Sequence, residues 1–191
     1  MGILLNPDNI DFKKALNSEI YIDKTELITY TNGVINTEQQ YICVSRPRRF
    51  GKSMAANMLT AYYSRGCDSR EMFSKYKIAK ADSFEKHLNK YNVIHINMVK
   101  YLDEAKDIKE MLKFLEEDII DEITEEFPDA KFPRRVTLIN VLDKIFAQFK
   151  ISFVFIIDEW DCIFRRHKED SDSQTTYLNF LRDLMKNKSY V

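Results

Sequence analysis

Cysteine, histidine, glycine and proline are all scarce in this sequence. Its 191 residues include 3 cysteines, 3 histidines, 4 glycines and 4 prolines. Because Cys43, Cys67 and Cys162 are odd in number, far apart and without metal-ligand spacing, they exclude a disulfide framework and predict reduced thiols. The histidines are equally scattered, which argues against a zinc site. The chain also contains no repeat, low-complexity stretch or internal linker.

A long hydrophobic run and an excess of one charge are absent as well. No run of about 18 apolar residues could span a membrane, and the segment from Met1 to Leu5 is too short for a secretory signal. We therefore predict a cytoplasmic protein without a membrane partner. The net charge of −1 argues against nucleic-acid binding over the whole surface, so nucleic acid would be at most an indirect partner.

The apolar content of 45% is enough for one sizeable core. We predict a single domain over residues 1–191, with a helical segment over 1–39 that leads into a core over 40–191. Between these limits helical and strand patterns alternate, as they do in an α/β fold. Strands are predicted at 92–98 and 151–157, a long helix with an apolar stripe at 104–127, and shorter helices at 8–17, 25–30, 53–63, 136–149 and 175–186.

The most informative segment runs from Ser45 to Ser53 and reads S-R-P-R-R-F-G-K-S. It matches the phosphate-binding pattern G-x-x-x-x-G-K-[ST], except that Arg46 stands at the first glycine position. In such loops backbone N–H groups surround the phosphates, the lysine reaches the β and γ oxygens, and the hydroxyl holds Mg²⁺. Since Pro47 removes one N–H group, we expect arginine side chains to replace part of the backbone cradle. The alternative is a basic turn without a ligand.

The segments on both sides of this loop favour the phosphate-binding interpretation. The apolar run Tyr41–Val44 is typical of a short buried parallel strand. A helix is predicted from Ser53 to Tyr63, and its N–H groups and positive dipole end would face the loop.

A second motif follows about a hundred residues later, where the apolar run from Ile151 to Ile157 ends in Asp158 and Glu159. A central strand that ends in two carboxylates is typical of the Walker B motif of nucleotide hydrolases. Asp158 would then hold Mg²⁺ through water beside Ser53, and Glu159 would orient or deprotonate the attacking water. A helix cap after the strand would explain one carboxylate, but not the coincidence with a phosphate-binding loop upstream.

Three segments together resemble the predicted AAA-ATPase-like family of bacterial P-loop proteins. They are Y-I-D-K-T from Tyr21, R-P-R-R-F-G-K-S from Arg46, and I-D-E-W-D from Ile157, in that order. The resemblance spans nearly the whole chain. In that family the loop typically reads R-P-R-R-F-G-K-[ST], so Arg46 is a family feature, whereas Trp160 replaces the usual tyrosine.

The resemblance implies a three-layer P-loop sheet flanked by helices, with ATP and Mg²⁺ as cofactors. Relatives continue into a strand with a γ-phosphate sensor and a helical lid, and many carry a nuclease-like domain of the PD-(D/E)XK class. We therefore expect the chain to be the N-terminal ATPase core without sensor strand and lid: a shortened form of a longer protein, a natural truncation with a rearranged sheet, or a dimer whose partner closes the gap.

The resemblance and the two motifs together predict a set of site residues. Glu159 and Lys52 are the expected catalytic residues, and Ser53 and Asp158 the expected Mg²⁺ residues. The residues expected to bind the nucleotide are Asp23, Lys24, Arg46, Arg48, Arg49, Phe50, Gly51, Lys52, Ser53 and Met54.

Several of these roles have alternatives. Asp23 and Lys24 could lie near the nucleotide base, or serve as a helix cap and a surface charge. Arg165 and Arg166 could act as an arginine finger on a neighbouring molecule, but a surface pair on the following helix is the preferred interpretation. Asp161 could brace Glu159 or pair with an arginine of the loop.

Two functions follow from these patterns. The first is ATP binding with Mg²⁺-dependent hydrolysis, which is expected to be slow or absent in the isolated chain. The second is a non-catalytic inhibitor of phage or mobile-element origin that blocks a host defence complex, for example a CRISPR effector or its RNA. The predicted partners are a nucleotide and either a second copy of the chain or a larger host complex.

Overall fold

A computed structural model of the protein describes residues 2–186 except Arg46 and Arg48. The fold is mixed α/β, with ten α-helices, one 3₁₀ helix and two strands in the described residues. The elements are α1 (Ile10–Leu16), α2 (Glu26–Val34), α3 (Lys52–Tyr63), α4 (Arg70–Phe73), a 3₁₀ helix (Lys77–Lys80), α5 (Phe84–His87), β1 (Asn92–Asn97), α6 (Met98–Glu104), α7 (Ile108–Glu126), α8 (Leu138–Phe149), β2 (Phe153–Asp158), α9 (Cys162–Arg166) and α10 (Ser171–Met185). None of the helices in these ranges is long and apolar enough to cross a bilayer.

The described residues divide into two compact units. The first contains residues 2–95 and 152–156, and the second contains residues 96–151 and 157–186. The loop with the phosphate-binding pattern belongs to the first unit, and the two carboxylates after β2 belong to the second. The single domain with a boundary after residue 39 stays a prediction.

The two strands β1 and β2 pair in a parallel two-stranded sheet, close to the predicted positions. At the start of the ladder Asn92 donates its backbone N–H to the Ser152 carbonyl oxygen, with 3.1 Å between nitrogen and oxygen. Leu5 adds an isolated antiparallel bridge to Ile94. The three-layer P-loop sheet implied by the resemblance stays a prediction.

The strand predicted at Tyr41–Val44 is wrong. Residues 41–45 form neither helix nor strand, and all five are exposed, with Tyr41 at 52% and Val44 at 46%. An apolar run becomes a strand only where a neighbouring strand supplies a hydrogen-bonded ladder. In the part of the chain that the structure describes, β1 and β2 form a ladder with each other and not with this segment.

Aromatic side chains form the centre of the first unit. Phe12 on α1 stacks on Phe73 of α4 at a centroid distance of 5.2 Å. Tyr62 on α3 meets the same Phe73 ring edge-on at 5.4 Å. All three rings are fully buried, so they fix the position of α3.

The buried tyrosines of α3 bring polar groups into this core, and α2 supplies their partners. The Tyr63 hydroxyl donates to the Asn32 side-chain oxygen at 2.7 Å and lies 2.7 Å from the Thr31 hydroxyl. The Asn32 amide nitrogen donates to the Tyr62 hydroxyl at 3.0 Å. Burial raises the pKa of Tyr62 to about 12, so this hydroxyl is neutral at physiological pH.

Helix α7 organises the second unit, as its sequence pattern predicts. Met111, Leu115, Ile119 and Ile123 recur every four residues and are fully buried. The helix packs against α6, α8 and α10. Its N-terminus is capped by Asp107, which accepts the backbone N–H groups of residues 109 and 110, each at 2.9 Å.

We expect Tyr63→Phe to lower the free energy of unfolding by about 1–3 kcal/mol, because it leaves the buried Asn32 oxygen without its donor. The control is Tyr30→Phe on α2, whose side chain is 59% exposed and whose change should stay within about 0.5 kcal/mol. Denaturant unfolding of both variants measures the difference. Equal stability of the two variants would contradict the network.

Candidate functional site

The phosphate-binding pattern ends at Gly51, which has a left-handed backbone with φ 77° and ψ 32°. Glycine adopts this conformation without the steric cost that a Cβ brings. Helix α3 begins at the next residue, and Ala55 donates its N–H to the Gly51 carbonyl oxygen at 3.0 Å. Gly51 itself occupies the N-cap position and has no side chain that could cap this N-terminus. The first-turn N–H groups therefore face the loop, an arrangement that favours an anion.

The residues just before Gly51 are exposed and unusual in their backbone. Arg49 is also left-handed, with φ 68°, which is uncommon for a residue with a side chain. Phe50 is 61% exposed. Arg46 and Arg48, two further predicted nucleotide ligands, lie outside the described residues.

Lys24 lies directly against the end of this loop. Its ammonium group donates to the Phe50 carbonyl oxygen at 3.1 Å. A Cβ atom on Gly51 would lie 2.9 Å from the same ammonium nitrogen. Glycine at this position therefore meets two demands, the left-handed backbone and the close approach of a cation. The loop thus has Lys24 as a basic neighbour from a segment that precedes it by more than twenty residues.

Asp23, the other residue predicted from that segment, accepts hydrogen bonds from Thr25, the N-cap residue of α2, and from the first residue of the 3₁₀ helix. Its carboxylate accepts the Thr25 backbone N–H at 2.8 Å and the Thr25 hydroxyl at 2.7 Å. It also accepts the backbone N–H of Lys77 at 3.1 Å. Burial opposes ionisation of Asp23, but these hydrogen bonds outweigh it and lower the pKa of the carboxyl. Its proximity to a nucleotide base stays a prediction.

The next predicted residues occupy the first turn of α3. Lys52 is half-buried, whereas Ser53 and Met54 are exposed. The hydroxyl and the ammonium group of a phosphate-binding loop therefore both originate at the N-terminal end of this helix. Their contacts with a nucleotide stay predictions.

In the second unit, β2 ends at Asp158 and the chain turns sharply. Glu159 has a left-handed backbone with φ 55°, and it donates its N–H to a carboxylate oxygen of Asp158 at 2.9 Å. Cys162 donates its N–H to the Glu159 carbonyl oxygen at 2.9 Å, which leads into α9. The buried Tyr177 of α10 donates its hydroxyl to the Trp160 carbonyl oxygen at 2.8 Å. The turn is therefore held from both ends and from α10.

The side chain of Glu159 forms an ion pair with Arg165 on α9. The same guanidinium nitrogen lies 3.4 Å from a carboxylate oxygen of Asp161. The hydrogen bond to Glu159 raises the pKa of Arg165, which is charged at any physiological pH. Arg166 forms a separate ion pair with Asp103 of α6. Both arginines of α9 thus have carboxylate partners within their own unit.

A metal site built from three or more His, Cys, Asp or Glu side chains does not occur among residues 2–45, 47 and 49–186. The predicted Mg²⁺ residues, Ser53 and Asp158, do not depend on such a cluster, because most ligands of Mg²⁺ in nucleotide sites are water and phosphate oxygens. One oxygen of Asp158 accepts the Glu159 N–H and the residue is half-buried. The Mg²⁺ assignment stays a prediction.

Two contacts of these residues were not predicted from the sequence. The position of Lys24 against Phe50 has no sequence signal, because the two residues belong to separate segments. The contact of Asp161 with Arg165 does have one, since oppositely charged residues four positions apart are neighbours on a helix.

Comparison with protein families gives a match over most of the chain. A family model described as a predicted AAA-ATPase matches residues 10–189, which include both the loop and the turn after β2. No curated protein and no solved structure matches the chain.

Replacing Gly51 by alanine should lower the free energy of unfolding by about 1–2 kcal/mol, because alanine resists the left-handed backbone. The matched control is Gly33→Ala on α2, where a Cβ meets no atom within 4 Å. It should raise the stability by about 0.5–1 kcal/mol, since alanine favours the helix. Thermal unfolding measures both changes. Stabilisation by Gly51→Ala would show that the left-handed backbone is wrong.

Proposed function

Since the chain belongs to the predicted AAA-ATPase family, we propose that it binds ATP at the loop from Ser45 to Ser53 and hydrolyses it with Mg²⁺. The observation that carries the proposal is the end of this loop, where left-handed Gly51 leads directly into the N-terminus of α3 and Lys24 lies against the loop. Backbone N–H groups in this arrangement form a ready anion site.

The cations around the loop support an anionic ligand. Lys24 and Arg49 form no ion pair within the part of the chain that the structure describes, and both are exposed. Their charges are therefore not neutralised by carboxylates of their own unit. A triphosphate would neutralise them and would gain charge-assisted hydrogen bonds.

Four residues in or beside the loop have proposed roles, namely Lys24, Phe50, Lys52 and Ser53. Lys52 contacts the β and γ phosphate oxygens, and first-turn N–H groups of α3 surround the phosphates. Ser53 supplies a hydroxyl ligand to Mg²⁺. Lys24 adds positive charge at the start of the helix, and exposed Phe50 offers an aromatic surface. The arginine side chains of the loop replace part of the backbone cradle around the phosphates.

The proposal for the second unit rests on the carboxylates at the end of β2. Asp158 belongs to the Mg²⁺ shell, and Mg²⁺ when bound neutralises charge on the phosphates. Glu159 accepts a proton from the attacking water, whose oxygen forms a bond to the γ phosphorus. The bond between this phosphorus and the bridging oxygen breaks, and ADP leaves with the electron pair.

Lys52→Ala should weaken Mg-ATP binding by about 10- to 100-fold, because a charge-assisted contact contributes roughly 1.5–3 kcal/mol. Isothermal titration calorimetry measures the Kd. Lys13→Ala is the control, since Lys13 is an exposed lysine of the same unit on α1. A parallel titration with Mg-GTP tests the preference for adenine.

Lack of binding by the unaltered chain at millimolar nucleotide would overturn the proposal. Equal affinities of the Lys52→Ala and Lys13→Ala variants would also do so, because the loop would then not be the site.

Hydrolysis is tested separately from binding. Glu159→Gln removes the proton acceptor and nearly preserves the shape of the side chain. We expect this variant to keep the Kd for Mg-ATP within about threefold and to lose most phosphate release, by about 10²- to 10⁴-fold. A single-turnover assay with γ-labelled ATP and excess protein measures the rate. Unchanged phosphate release would exclude Glu159 as the base.

A further inference from the structure

We propose that Arg165 is a positioning residue for Glu159, and that Asp161 holds Arg165 in place for this task. The inference rests on the proposed function, since it takes Glu159 as the group that orients or deprotonates the attacking water. It does not require Arg165 to touch the nucleotide.

Hydrogen bonds hold the backbone of Glu159 in place, but they do not fix the orientation of its side chain. Hydrogen bonds at its N–H and its carbonyl oxygen hold the left-handed turn, and Tyr177 holds the next peptide through Trp160. These contacts leave the side-chain torsions of Glu159 free to rotate. A carboxylate that must meet one water molecule therefore needs a further partner.

Arg165 is that partner. Among the described residues it is the group that donates to the Glu159 carboxylate, and it binds one oxygen of the two. The contact is partly protected from water, because the side chains of Arg165 and Glu159 are 30% and 26% exposed. It therefore restricts the carboxylate more than a fully exposed pair would.

Asp161 fixes Arg165 in turn. Its carboxylate lies 3.4 Å from the guanidinium nitrogen that contacts Glu159. The backbone of Arg165 is tied to the same residue, because its N–H donates to the Asp161 carbonyl oxygen at 3.2 Å. The three residues therefore form a short chain of charges, carboxylate, guanidinium and carboxylate, between the turn after β2 and α9.

Arg165 uses a single nitrogen for both carboxylates. Its buried Nε atom has no hydrogen-bond partner among the described residues. The guanidinium thus acts here as a point charge and not as a two-pronged fork. Lysine presents such a point charge, so it should substitute for Arg165 in part, which it would not do at a bidentate site.

Arg166 provides a matched control. It is the next residue on α9 and also forms an ion pair, but its partner is Asp103 and not Glu159. A general effect of charge loss on α9 would appear in both arginine variants. A positioning effect would appear only at Arg165.

The test compares Arg165→Met, Arg165→Lys, Arg166→Met and the unaltered protein in single-turnover ATP hydrolysis. We expect Arg165→Met to lower the rate of phosphate release by about 10- to 100-fold, because small misplacements of a reacting group cost that much. The Kd for Mg-ATP should stay within about threefold. Arg165→Lys should recover at least a third of the rate, and Arg166→Met should keep it.

A second measurement tests the contact without hydrolysis. Thermal unfolding is recorded for Arg165→Met, Glu159→Gln and the double variant. If the ion pair forms in solution, the loss of Tm in the double variant is smaller than the sum of the two single losses. Additive losses would overturn the proposal, because they would mean that the two side chains do not interact.

The remaining outcomes are distinct. A faster rate in Arg165→Met would overturn the proposal and identify Arg165 as a group that restrains Glu159. An equal loss in Arg166→Met, or no recovery by lysine, would reduce Arg165 to a structural residue. Nucleotide binding without hydrolysis by the unaltered chain would overturn the positioning role and the hydrolytic part of the proposed function, but not nucleotide binding at the loop. Absence of nucleotide binding would overturn the proposed function itself.

Discussion

The left-handed backbone of Gly51 is the constraint on which the candidate site depends. It lets the loop end and α3 begin within one residue, so that Lys52 and Ser53 stand on the first turn. The same residue also leaves room for the Lys24 ammonium group, which a side chain would displace. Glycine at this position therefore allows both the backbone turn and the close approach of a positive charge. The buried rings under α3 give this position a rigid support, since packed cores deform little.

The turn after β2 also contains a left-handed residue, but here hydrogen bonds and not a glycine make the conformation possible. Glu159 is left-handed although it carries a long side chain, and this conformation has an energetic cost. Hydrogen bonds to Asp158 and from Cys162 offset the cost, and Tyr177 anchors the adjacent peptide. Non-glycine residues held in this way cluster at functional sites. The backbone of Glu159 thus supports the motif-based prediction from an independent direction.

Elements with strong periodicity could be predicted from the sequence, whereas contacts between distant segments could not. The apolar stripe of α7 contains enough residues to identify a helix and its buried face, and the apolar run of β2 contains enough to identify a strand. The short helices α4 and α5 contain four residues each, too few for a period to emerge. The apolar run Tyr41–Val44 misled because hydrophobicity does not reveal whether a neighbouring strand is present to pair with it.

The same limit applies to the site. The loop pattern and the paired carboxylates are local, so the sequence was enough to select them. The contact of Lys24 with Phe50 depends on how two segments meet, and the ion pair of Glu159 with Arg165 depends on a left-handed φ that a glutamate rarely adopts. Neither could follow from spacing alone.

The charged residues at the loop and those at the turn after β2 are paired differently. In the second unit the arginines of α9 are matched by carboxylates of that unit, so removal of one charge alters geometry at its partner. In the first unit Lys24 and Arg49 have no such match within the described residues, so their charges are available to a ligand. Substitutions in the loop should therefore change the affinity for the nucleotide, while substitutions around Glu159 should change the rate at which bound nucleotide is hydrolysed. This division follows from the charge pairing at the loop and at the turn after β2.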